Sequence, residues 1–141
     1  MKSYQLEDLS LGQSAQAAHV VTDADIRAFA EVSGDHNPVH LDEDYAEGTP
    51  FKGRIAHGIL TASFISALIG SDLPGAGSIY VSQSLNFKRP VRIGDEVTVK
   101  VTIEAIDAAK AQVTLATVCT VRGKAVLDGK AVVMVARREA A

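Results

Sequence analysis

The chain has 141 residues, 47% of them apolar, with no tryptophan, one cysteine and a formal net charge of −3. That length suits a single domain over residues 1–141, with enough apolar surface for a full core built from Val, Ile, Leu and Ala. Mixed, mildly acidic charge excludes the strongly basic face of a nucleic-acid binder, and a lone Cys119 excludes an internal disulfide and fits a reducing compartment.

The N-terminal residues lack the apolar centre of a signal peptide. The longest apolar stretch, residues 58–70, is interrupted by Thr61, Ser63 and Ser66. It falls short of the roughly 20 residues needed to cross a bilayer. A cytoplasmic protein with no membrane or nucleic-acid partner is expected.

Residues 14–21 read as a first strand. Thr22 is placed to cap a helix, with Asp25 as its acidic N3 residue. Ile26, Phe29, Ala30 and Ser33 share one face, and Gly34 stops the helix. Residues 35–53 read as a loop punctuated by Pro38 and Pro50, with one helical turn around residues 42–46. Residues 57–69 form a second helix, apolar on nearly every side and therefore expected to be buried, with Gly70 and Pro74 closing it.

The chain after Gly77 reads as strand. Val97, Val99, Val101 and Ile103 alternate with Thr98, Lys100, Thr102 and Glu104, a period of two. Residues 79–87, 112–121 and 130–137 are further β-rich runs. Gly94-Asp95, Arg122-Gly123 and Asp128-Gly129 mark turns. An apolar helix followed by about four antiparallel strands implies an α+β fold with a curled sheet wrapped around the helix. One sheet edge is left open, and pairing it with a second copy would cover it, so at least a homodimer is expected.

Residues 33–40, Ser-Gly-Asp-His-Asn-Pro-Val-His, concentrate ionisable and amide groups in a loop between the two helices, where catalytic groups tend to sit. Pro38 rules out a continuous helix there. A turn centred on Asn37-Pro38 can bring Asp35 and His40 to face one water. Histidine exchanges a proton near neutral pH, and a carboxylate can orient the same water or return a proton. Local pattern alone leaves a second reading open for Asp35, as a turn or capping residue.

Gly58, at the start of the apolar helix, offers an unpaired N–H and leaves room for close approach. His57 reads as a packing or capping residue, Ser63 and Ser66 as bonding back to the preceding turn, and Cys119 as a small buried hydrophobe. His36 and His40 have a helical ligand spacing, but Pro38 removes the helix and no third ligand is evident, so no metal site is expected. Residues 73–77, Leu-Pro-Gly-Ala-Gly, lack the ending of a phosphate loop and read as a turn. Lys88, Arg89 and Arg92 form a basic cluster at a strand end, either a solvated face or a contact for phosphates.

At these residues the chain resembles the MaoC-like (R)-specific enoyl-CoA hydratases of the hot-dog superfamily. The likeness is carried by residues 29–42, which contain the pattern Asp-x-Asn-Pro-x-His. Ile55-Ala-His-Gly-Ile-Leu60, Gly77-Ser-Ile-Tyr80, Gln83-Ser-Leu-Asn-Phe-Lys-Arg-Pro-Val91 and Gly94-Asp-Glu-Val97 extend it. It spans about residues 22–101.

The resemblance implies a hot-dog fold and hydration of trans-2-enoyl-CoA to (R)-3-hydroxyacyl-CoA without metal or redox cofactor. It implies Asp35 and His40 as the acid–base pair, Asn37 supporting the loop, the Gly58 N–H on the thioester oxygen, and Ser66 assisting. It further implies a dimer with coenzyme A reaching across the subunit boundary. Apart from the resemblance, Lys88 and Arg89 of the basic cluster are candidates to meet the coenzyme A phosphates. Ile69 and Met134 are candidates to shape the acyl pocket. A hot-dog thioesterase and a non-catalytic thioester-binding subunit are the competing readings.

Overall fold

A computed structural model describes residues 1–138. After a 3-10 turn at Leu6–Asp8, the elements run β1 (Ser14–Val20), α1 (Asp23–Ser33), α2 (Pro38–Leu41), α3 (Glu43–Glu47) and α4 (Gly58–Ser71). Then come β2 (Ile79–Gln83), β3 (Asn86–Phe87), β4 (Glu96–Asp107), β5 (Gln112–Val121) and β6 (Lys124–Met134). The strands form one antiparallel sheet in the order β1-β4-β5-β6-β2, with β3 also paired to β6. Helix α4 packs against β4, β5, β1 and β6. This is the expected α+β arrangement of a sheet curled around a helix.

The period of two in β4 does the expected work. Val97, Val99, Val101 and Ile103 are buried, and Val113, Leu115 and Cys119 answer them from β5. Leu60, Ile65, Leu68 and Ile69 fill the other side of this core from α4. Each such side chain contributes about 1.5–3 kcal/mol on burial. Both halves of the Thr22/Asp25 capping box are present, and Gly34 ends α1 in the left-handed conformation at φ 79°.

Four sequence expectations are corrected. First, α4 is not covered all round: Ile59, Ser63, Ser66, Ala67 and Gly70 are exposed, because one sheet shields only one side of a helix. Second, Gly70 does not close α4, which continues to Ser71. Third, Asp128-Gly129 is not a turn but lies inside β6, which begins at Lys124 and ends at Met134. A Cβ at Gly129 would stand 1.8 Å from the Ser84 carbonyl oxygen, so the glycine permits a close backbone crossing. Fourth, the loop after α1 contains two helical turns, α2 as well as α3. Pro38 does not oppose α2 because it occupies the first turn, where its missing N–H is not needed.

Candidate active site

The loop that leaves α1 is folded by its own side chains. Ser33 Oγ accepts from the Asp35 N–H at 3.1 Å, Asp35 Oδ1 from the Asn37 N–H at 3.2 Å, and Asn37 Oδ1 from the Val39 N–H at 3.2 Å. Short polar side chains favour such local bonds over a continued helix. The last of them makes Asn37 the N-cap of α2. The chain turns back, and His40 at the end of α2 is buried, while Asp35 stays exposed.

Three further contacts lock this turn. His40 Nδ1 lies 2.8 Å from the Ile55 carbonyl oxygen. A carbonyl only accepts, so Nδ1 carries the proton and Nε2 is left as a basic nitrogen. Arg54 Nε donates to the His40 carbonyl at 2.7 Å, and its Nη2 to Asp23 at 2.6 Å, tying the turn to the start of α1. His57 Nε2 donates to the Asp35 carbonyl at 3.0 Å.

The His57 ring stacks on His40 with centroids 3.9 Å apart and meets Phe29 at 4.7 Å. Burial pushes the His57 ring below the ordinary histidine range; the bond to the Asp35 carbonyl opposes this, and the neighbouring His40 reinforces it. His57 is thus held neutral between the two halves of the turn. Its Nδ1 is buried and finds no hydrogen-bond partner among the described residues.

Asp35, His40 and His57 each bring a ligand-type atom within 4.8 Å of the others. With one nitrogen of each ring committed to a carbonyl, His40 Nε2, His57 Nδ1 and the Asp35 carboxylate are the atoms that could hold a cation. His36 is exposed and stands outside this group.

A cleft of about 410 Å³ opens beside His40. Gly58, Thr61, Phe87, Lys88 and Arg89 share its wall. Gly58 is the first residue of α4, so its N–H is one of the helix's unpaired donors and faces the positive end of the macrodipole. The Phe87 ring lies directly over it: a Cβ at position 58 would meet Phe87 Cε1 at 2.5 Å. Thr61 Oγ1 is buried and unpartnered among the described residues.

The structure therefore brings Asp35, Asn37 and His40 together in one turn, and His40, Gly58, Lys88 and Arg89 around one cleft. Lys88 also reaches Asp128 at 3.3 Å. Ser66 is exposed, two turns beyond Gly58 on α4, and does not line the cleft. Nor do Ile69, which is buried in the core, and Met134, which is exposed at the end of β6. Sequence reasoning assigned no role at the site to His57, Arg54 or Thr61. The His-Gly pair at the head of an apolar helix was a usable signal for His57. Arg54 gave none, because its partner Asp23 is 31 residues away.

A curled sheet around a helix, with an imidazole and a helix N-terminus at one cleft and a carboxylate close to the imidazole, is the architecture of the hot-dog class. The chain belongs to the MaoC-like domain family, whose model matches residues 10–126. It is 55% identical over 132 residues to an (R)-specific enoyl-CoA hydratase of Rhodospirillum rubrum, covering 94% of this chain and 92% of that one. It is 47% identical over 135 residues to a 3-hydroxybutyryl-CoA dehydratase of Methylorubrum extorquens, covering 96% of this chain and 86% of that one. Among solved structures, unliganded R-hydratase PhaJ1 from Pseudomonas aeruginosa superposes with a TM-score of 0.91 at 42% identity, covering 99% of this chain and 92% of that one.

Proposed function

We propose that this protein adds water across the double bond of a trans-2-enoyl-CoA to give the (R)-3-hydroxyacyl-CoA, and runs the same step in reverse as a dehydratase. The observation that carries this reading is that His40, which shares one cleft with the head of α4 at Gly58, has the Asp35 carboxylate within 4.8 Å of its ring. The names of its relatives agree with it.

Three tasks must be met. A base must take a proton from water, the enolate oxygen must be stabilised, and the α-carbon must receive a proton. His40 Nε2 takes the proton while Asp35 orients the same water. The hydroxide adds to the β-carbon, and the double-bond electrons move onto the thioester oxygen. The Gly58 N–H, with the helix dipole behind it, holds that oxygen. The proton held by the dyad then passes to the α-carbon, so one water is consumed and no redox change occurs. Asn37 keeps Asp35 and His40 in register, and His57 stays neutral beside His40 as it charges. No step here uses Ser66, and none calls for a metal or redox cofactor.

A homodimer fits the same reading. The β2 edge leaves Ile79 60% and Val81 50% exposed, and an unpaired apolar edge invites a second strand.

The test is loss of the conjugated enoyl-thioester absorbance with crotonyl-CoA, the product being passed to a dehydrogenase specific for one 3-hydroxyacyl enantiomer. Rapid loss giving the (R) product is expected. Asp35→Asn and His40→Ala should each reduce it more than tenfold while the circular dichroism spectrum stays the same. More than a tenth of wild-type activity in both variants would refute the dyad. Release of free thiol in place of hydration would favour a thioesterase.

A further inference from the structure

The two stacked histidines have their rings fixed in the same way. His40 Nδ1 donates to the Ile55 carbonyl at 2.8 Å, and His57 Nε2 to the Asp35 carbonyl at 3.0 Å. Each ring therefore keeps one basic nitrogen with its lone pair free, Nε2 of His40 and Nδ1 of His57. Imidazoles that bind a metal are held in this manner. Their second N–H sits on a carbonyl or carboxylate, which fixes the tautomer and the direction of the lone pair.

The third donor is the Asp35 carboxylate. One ligand-type atom from each of Asp35, His40 and His57 lies within 4.8 Å of the other two. His57 is 2% exposed, and its Nδ1 has no hydrogen-bond partner among the described residues. A buried polar atom left without a partner costs about 1–3 kcal/mol. The bond to the Asp35 carbonyl accounts for one nitrogen of this ring and leaves the other as an acceptor for something brought in from outside.

We propose that the Asp35 carboxylate, His40 Nε2 and His57 Nδ1 bind a divalent transition ion of the zinc class, and that the ion inhibits the protein by occupying its base. Two imidazoles and a carboxylate suit zinc, nickel and copper, whereas magnesium and calcium favour sites built from oxygen. Zinc bonds of about 2.0–2.1 Å set tetrahedral ligands about 3.4 Å apart, so the three atoms close by up to about 1.4 Å on binding. Asp35 is exposed on a turn and has room to move, and His40 borders the cleft, which gives the ion a way in. An ion on His40 Nε2 takes the lone pair that would accept a proton from water. The ion site stands on these side chains alone; the inhibition rests on the hydratase reading.

Zinc and magnesium are titrated separately into the whole chain by calorimetry, with Asp35→Asn, His57→Gln and His36→Gln beside wild type. Asp35→Asn changes an exposed side chain, so it reads the site even if His57→Gln does not fold. Wild type is expected to bind a single zinc and no magnesium. Asp35→Asn and His57→Gln should each weaken zinc at least about tenfold, since even an outer-shell partner is worth about 10–100-fold. His36 is exposed and outside the group, so His36→Gln should bind zinc as wild type does. Zinc should also slow the hydration of crotonyl-CoA. Half-inhibition should need more zinc as crotonyl-CoA is raised, and a chelator should restore the rate.

No zinc binding, unweakened binding by the Asp35 and His57 variants, a loss confined to His36→Gln, or magnesium bound as tightly as zinc would overturn the site. Inhibition that ignores the crotonyl-CoA concentration would overturn the inhibitory role. If wild type hydrates nothing, the hydratase reading fails alone, because calorimetry reads the ion site without turnover.

Discussion

Replacing Gly58 by alanine tests the oxygen-binding role proposed for the α4 N-terminus. The new methyl would stand 2.5 Å from Phe87 Cε1 and 2.7 Å from Cδ1, so something must move. Phe87 is 55% exposed, and its ring can swing outward. Forced repacking of this kind costs about 1–3 kcal/mol. Alanine returns about 1 kcal/mol over glycine as a helix residue. The net loss of about 0–2 kcal/mol is a fall of a few degrees in Tm, so Gly58→Ala should fold.

Activity should fall much further, because the methyl and the displaced ring occupy the approach to the Gly58 N–H. Loss of one such donor costs about 10²–10³ in kcat. Thermal melts followed by circular dichroism and initial rates with crotonyl-CoA read the two effects apart. Gly58→Ala with Phe87→Ala should regain the lost Tm and stay inactive. A folded Gly58→Ala enzyme with more than a tenth of wild-type kcat/KM would show that the thioester oxygen is not held there.

Further expectations attach to neighbouring residues. Burial lowers the His57 pKa below its ordinary 6.5. The native state then refuses a proton that the unfolded chain accepts, so stability is full above about pH 6.5 and falls as the pH drops below it. Urea midpoints at about pH 7.5 and 5.5 should differ less in His57→Gln than in wild type. Arg54→Ala removes a partly buried guanidinium from both Asp23 and the His40 carbonyl. It should cost about 1–3 kcal/mol in chemical denaturation and lower kcat. Arg54→Lys should not restore either, because one ammonium cannot reproduce the fork. Gly129→Ala drives a methyl into the Ser84 backbone and should cost at least about 3 kcal/mol, measured by the same denaturation.

The parts of the fold that were legible in the sequence are those governed by local periodicity. Val97 to Ile103 announced β4 because sheet burial has a period of two, and Thr22 with Asp25 announced α1 because a capping box lies within four residues. Gly129 misled because a glycine after an aspartate has the composition of a turn. Its reason for being there is Ser84, a backbone partner 45 positions earlier. Pro38 misled for the opposite reason: it forbids a helix that runs through it and favours one that starts at it.

At the candidate site, the Asp35–His40 turn was legible because Asn37 and Pro38 specify it locally. The clamp around it was not. Arg54 reaches Asp23, and His57 reaches Asp35 and His40, only once α4 is laid across the sheet. The apolar face of α4 was legible as hydrophobic, but which side the sheet would cover was not, since the helix is apolar nearly all round.

Cys119 is wholly buried at the middle of the sheet, opposite Val99 on one side and Leu127 on the other. Burial lifts its thiol to about 12, so at neutral pH it carries almost no thiolate. The native molecule is therefore mute to a thiol reagent until β5 parts from a neighbour. When reclosing outpaces labelling, the modification rate is the opening equilibrium constant multiplied by the known rate of a free thiol, which makes this one sulfur a built-in clock for sheet opening. Bound thioester should slow that clock if it holds the sheet closed, with no label, probe or added residue required.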